Sequence, residues 1–173
     1  MGSVTAALFA LSLQASPAAP AEEPRIGRCH MGYCSWFRVH SRATVREAGG
    51  ERLLRVVMSG GDSEHRNNRY PSSARGARIQ WDAAQYDAYF LCSARRPFAI
   101  VARDEEGWDA VPLDFVNGPA GATTAVSVQY VAGCHPGDDM DRPGFAARHG
   151  YREAEGIEPT RIARPEDVFD AGN

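Results

Sequence analysis

Four cysteines, Cys29, Cys34, Cys92 and Cys134, constrain this chain more than any other feature. An even cysteine count behind an export signal points to disulfides rather than to metal-bound thiolates. Three pairings are possible. Cys29 and Cys34 close a short loop easily, which favours 29–34 with 92–134. A bridge across the longer of those loops would contribute about 3–4 kcal/mol by constraining the unfolded chain.

The export signal itself is read from the N-terminus. Ala6 to Leu13 is an apolar run too short to span a bilayer. Ala19-Pro20-Ala21 before Glu22 fits an A-x-A cleavage site, with cleavage after Ala18 as the other candidate, although no Arg or Lys precedes the run. Residues 1–21 are therefore expected to be a signal peptide. No later segment is long and apolar enough to cross a membrane. The expected location is the periplasm or the exterior.

Length and composition fit one folded unit. The 173 residues are 43% apolar and 24% charged, which excludes wholesale disorder. All 19 basic residues are Arg; there is no Lys. Schiff-base chemistry, Ser–Lys dyads and lysine-bearing phosphate loops are excluded by that fact alone. The net charge of −3 hides an asymmetry. Residues 22–103 hold 14 Arg against 8 acidic residues, 104–135 hold none against 5, and 136–173 hold 5 against 9. The acidic total and the compartment argue against nucleic acid as a partner.

Strand signals dominate the first 135 residues. Glu22–Arg28 reads as a polar lead-in, and Tyr33–His40 as an aromatic, β-branched strand. Gly49-Gly50, flanked by Thr44–Glu47 and Arg52–Ser59, predicts a tight hairpin. Leu54, Val56 and Met58 should share one face, with Arg55 on the other. Tyr86–Ser93 and Phe98–Arg103 read as strands, followed by a turn at Asp104-Glu105-Glu106-Gly107 and extended chain over Trp108–Phe115. Thr123–Cys134 alternates Val126, Val128 and Tyr130 with polar residues and reads as a strand, with a helix as the alternative. Short helices are expected at Pro143–Tyr151 and from Pro165. The predicted fold is α+β or mainly β: an antiparallel domain of about six or seven strands, with a β-rich core over 22–135 and a C-terminal extension of short helices over 136–173.

No common catalytic signature is present. G-x-S-x-G and H-E-x-x-H are absent. Cys29-His30, Cys34 and Cys134-His135 lack zinc-ligand spacing. Asp62-Ser63-Glu64-His65 gathers a Ser, a His and carboxylates, but triad partners usually come from different elements. Asp138-Asp139-Met140-Asp141 offers oxygens for Ca²⁺ without the Gly and terminal Glu of a helix-loop-helix calcium loop. Asn117–Thr124 reads as a plain loop rather than a phosphate cradle. No metal and no cofactor are expected.

The stretch Gly60–Arg78, rich in Gly, Asn, Pro and Ser, reads as a long basic loop that carries Arg66, Arg69, Arg75 and Arg78 around Tyr70. Guanidinium forks recognise carboxylate and phosphate. These five residues are the expected site for a protein partner or an anionic envelope component. The function expected on these grounds is that of an exported binding or inhibitory protein acting through surface complementarity, without catalysis. A small envelope hydrolase whose site leaves no local signature is the alternative.

Overall fold

Gly49 and Gly50 both adopt left-handed backbone, at φ +59 and +80. Only residues without a Cβ enter that region freely, so the pair makes the tight turn expected of it. It joins β2 (Tyr33–Ala48) to β3 (Glu51–Glu64), which pair antiparallel along nearly their whole length. These long strands are the spine of a computed structural model that describes residues 21–103, 107–153 and 158–171. The predicted signal peptide lies outside the described residues except for Ala21, and so do Asp104-Glu105-Glu106.

Seven strands form one antiparallel meander in chain order. Outside β2 lies β1 (Arg25–His30), and beyond β3 follow β4 (Gln80–Cys92), β5 (Phe98–Ala102), β6 (Trp108–Pro112) and β7 (Thr160–Ile162). Helix α1 (Thr124–Cys134), a single-turn helix α2 (Phe145–Arg148) and a 3-10 turn (Pro165–Phe169) complete the architecture. The expectation of an antiparallel domain of about six or seven strands is met.

Three local readings are corrected. Glu22–Arg28 is not merely a lead-in, because Arg25 onward pairs with β2 and Glu22 N–H donates to the Val39 carbonyl at 2.9 Å. The stretch from Gly60 is not all loop, since β3 runs to Glu64 and β4 begins at Gln80. Thr123–Cys134 is not a strand but the helix α1 with its preceding residue. Ser127, Tyr130, Val131 and Cys134 are buried at i, i+3, i+4 and i+7, the spacing of one helical face. Packing of that face overrides the β preference of its valines.

The sheet carries a core on each side. Leu54, Val56, Met58, Phe90 and Phe37 pack against Tyr130 and Val131 of α1 and against Phe115, Phe145 and Tyr151. Leu53 and Leu91, which alternate with Leu54 and Phe90 on β3 and β4, join Phe98, Ile100 and Ala110 and pack against Ile162, Val168, Phe169 and Ala171. Alternation along a strand assigns neighbours to opposite faces, so β3 and β4 supply both cores. Arg55 is exposed and pairs with Asp87 at 2.8 Å.

Both expected disulfides form. Cys29–Cys34 joins directly opposed residues of β1 and β2. Cys92–Cys134 ties the end of β4 to the end of α1. Among the described residues no helix is long and apolar enough to cross a membrane.

Candidate functional site

The arginine loop occupies residues 65–79. Its base is anchored to the turn between β1 and β2. His65 N–H donates to the Gly32 carbonyl at 2.6 Å, and the Tyr70 hydroxyl accepts from Gly32 N–H at 3.0 Å. The same hydroxyl donates to Asn68 Oδ1 at 3.0 Å. Asn67 and Asn68 sit at φ +67 and +53, a conformation Asn tolerates better than most residues. Tyr70 was expected at the binding surface; its ring is exposed, but its hydroxyl works inward as a fastener.

Arg66, Arg69, Arg75 and Arg78 are all exposed. None of the four guanidinium groups makes an ion pair or a hydrogen bond among the described residues. Elsewhere several arginines do meet carboxylates, among them Arg42 with Glu22, Arg96 with Glu51, Arg103 with Asp109 and Arg164 with Asp167, whereas Arg28, Arg52, Arg95, Arg152 and Arg161 share the loop's lack of an ion pair among the described residues. Among the described residues the loop charges are not spent on the protein's own carboxylates.

Ser63 and His65 do meet. His65 Nε2 lies 2.7 Å from Ser63 Oγ, which also accepts from Trp36 Nε1 at 2.6 Å. Ser63 is 4% exposed, so its hydroxyl faces protein rather than a substrate. No carboxylate hydrogen-bonds the imidazole among the described residues. The trio pins the end of β3 to β2 and lacks the third member of a triad.

A second histidine cluster had no local signal. His135, at the end of α1, places Nε2 2.6 Å from the Tyr151 hydroxyl, which donates to the Tyr130 hydroxyl at 3.3 Å. Tyr130 in turn accepts from Ser93 N–H at 3.1 Å. His149, after α2, holds Asp138 at 2.7 Å. Arg148 and Arg142 reach the same carboxylate, each at 3.3 Å. Burial, reinforced by the neighbouring His149, pushes His135 down to about 4. The hydrogen bond from His149 holds Asp138 well below the usual carboxylate range. Burial pushes Tyr130 up to about 12 and Tyr151 well above its ordinary value. At neutral pH His135 and both tyrosines are therefore uncharged, and each His Nε2 ends on the protein's own groups. This closed network fastens residues 135–151 over the core and offers no activated nucleophile.

The Asp138–Asp141 run is consumed in the same way. Asp138 faces Arg142, Arg148 and His149, its carbonyl accepts from Arg25 at 2.9 Å, and Asp139 accepts from Asp141 N–H at 3.0 Å. Among the described residues no three His, Cys, Asp or Glu side chains converge as metal ligands.

An open groove of about 840 Å³ runs beside β1. Glu22 to Cys29 form one wall, Thr124, Val128 and Val131 the other, with Pro71–Ser73 and Asp139–Asp141 at its ends. Pro24 beside the strand and the bulge between Ile26 and Arg28 blunt this sheet edge against strand addition.

Compared with protein-family models, with curated proteins and with solved structures, the chain matches none.

Proposed function

We propose that this chain is an exported, disulfide-bonded binding or inhibitory protein that engages an anionic partner through loop 65–79. One observation carries the reading: four arginines on a loop with a fastened base are exposed and, among the described residues, unmatched by a carboxylate. A pre-ordered loop loses little conformational freedom on binding, and unpaired guanidinium groups supply charge-assisted hydrogen bonds. The two disulfides support an oxidising compartment. The closed hydrogen bonding of the His135 cluster speaks for binding over hydrolysis.

The test is a titration of lipopolysaccharide and of soluble polyglutamate at two salt concentrations. Wild type stands beside a chain with Arg66, Arg69, Arg75 and Arg78 all changed to Glu. Binding should fall at least about tenfold on reversal and weaken with salt, since exposed charges are screened over about 8–10 Å at physiological ionic strength. Equal affinities in every arm would overturn the proposal.

A further inference from the structure

Seven large apolar side chains are exposed among the described residues, and three of them gather at one tip. Met31 is 77% exposed, Tyr33 55% and Tyr70 38%. Met31 and Gly32 form the two-residue turn between β1 and β2, at φ +49 and +83. Left-handed backbone suits Gly or Asn; a methionine there is strained, and its side chain finds almost no protein to pack against. Folding does not account for an apolar residue in that position.

The tip is also stiff. The Cys29–Cys34 disulfide closes the hairpin directly behind it. Gly32 is held by the Tyr70 hydroxyl through its N–H and by His65 N–H through its carbonyl. Those two residues bracket Arg66 and Arg69, so two cations with no ion pair among the described residues leave the chain within a few residues of the anchored turn. An apolar apex, two tyrosines beside it and arginines on the loop fastened to it supply the groups of a membrane interface, where apolar groups go deepest and aromatic rings and cations meet the headgroups.

We propose that the Met31 tip inserts into an anionic phospholipid surface, with Tyr33 and Tyr70 at headgroup level and Arg66 and Arg69 on the phosphates. This rests on the reading that loop 65–79 takes an anionic partner, and it names that partner. Charge complementarity favours such a surface: clustered cations gain with every anionic headgroup nearby. Glu64, opposite Tyr33 in the register, and Asp62, opposite Ser35, oppose the effect with negative charge. A hydrolase cleft is a poorer occupant. Cleft-bound segments are extended, whereas two successive left-handed residues make a convex knob.

The experiment is co-sedimentation with vesicles of phosphatidylcholine alone and of phosphatidylcholine mixed with phosphatidylglycerol. Wild type is compared with Met31→Asn, a double Met31→Asn/Tyr33→Ser variant, and Arg66→Glu/Arg69→Glu. Asn suits the left-handed turn, so Met31→Asn keeps the fold. Wild type should partition to the phosphatidylglycerol vesicles and not to phosphatidylcholine. The double tip variant should bind roughly tenfold more weakly and the arginine reversal more weakly still. Tip variants that partition like wild type would overturn the insertion while leaving the arginine loop in place. Wild type that ignores both vesicles but binds polyglutamate through its arginines would also overturn it, with the loop reading intact. Failure to bind either vesicles or polyglutamate would overturn both.

Discussion

The imidazoles of His135 and His149 lie 3.9 Å apart, centroid to centroid, tilted by 39°. His135 is buried, which disfavours its charged form, and repulsion between two protonated rings at that separation disfavours it further. Its pKa in the folded chain is therefore about 4, against 6.5 for an unperturbed histidine.

That difference sets a pH window. Above pH 6.5 neither folded nor unfolded chain protonates His135, and the group has no effect. As pH falls from 6.5 to 4 the unfolded chain takes up the proton first, so stability is lost across that window. Asp138, depressed rather than raised, adds its loss only below its ordinary value of 3.8. Wild type should lose about 1–3 kcal/mol between neutral pH and the acid end of the window. His135→Gln should show a clearly shallower slope. Urea denaturation of both chains across that range is the measurement, and identical slopes would refute the account.

A second prediction concerns Arg96. Its Nε and Nη2 grip the Glu51 carboxylate at 3.0 and 2.7 Å, while Nη1 and Nη2 donate to the carbonyls of Ala171 and Phe169. Burial pushes Glu51 up, but the hydrogen bonds from Arg96 and Ser93 outweigh it, and the net shift is downward. Arg96→Met would leave a carboxylate that is 6% exposed without its cation. The expected cost is about 3–5 kcal/mol, with faster amide exchange over residues 165–171. Glu51→Leu added to Arg96→Met should recover part of the loss, because no buried charge then remains. A single variant as stable as wild type would show that the pair is not a clamp.

Much of the fold was legible because it rests on local chemistry. Gly49-Gly50 has one easy conformation, and Leu54, Val56 and Met58 show their common face by alternation. The cysteine pairing followed from the short spacing of Cys29 and Cys34. What failed depended on distant partners. Val126, Val128 and Tyr130 alternate like a strand, yet the same segment also carries a helical face. The choice between them was made by Phe90, Val56 and Cys92, which lie far away in the chain. Arg25–His30 holds a Gly and three polar or charged residues and looks like loop until β2 folds beside it. The arginines of loop 65–79 were visible as charge. Their lack of carboxylate partners among the described residues was not, because that depends on where Glu22, Glu51 and Asp138 come to rest. The His135–Tyr151–Tyr130 chain was invisible for the same reason.

The disulfides give a third prediction. With both bridges formed, the oxidised, denatured protein should contain no free thiol. Alkylation without prior reduction, read by mass, should add nothing; four modified cysteines would refute the pairing. Replacing Cys92 and Cys134 together by Ala should cost about 3–4 kcal/mol, since their bridge spans 42 residues. The same change at Cys29 and Cys34 should cost less, because the loop it releases is only five residues apart.

Gly133 gives the last prediction, because the sign of its effect is contested by two terms. In an exposed helix, Gly→Ala stabilises by about 1 kcal/mol. Here α1 crosses the sheet so closely that an added Cβ would stand 3.0 Å from Phe90 Cδ2 and 3.3 Å from Val56 Cγ2. Neither neighbour has room to retreat. Phe90 is 1% exposed and meets Tyr130 edge to face at 5.8 Å, and Val56 is fully buried. The helix cannot lift away either, because Cys134 next door is bonded to Cys92 on β4. Overpacking of this kind costs about 1–3 kcal/mol, which exceeds the helical gain. Gly133→Ala should therefore destabilise the protein by up to about 2 kcal/mol in urea denaturation, with an unchanged slope on denaturant. A variant as stable as wild type, or more so, would mean that helix and sheet part without cost, and the close approach at Gly133 would not be what seats α1.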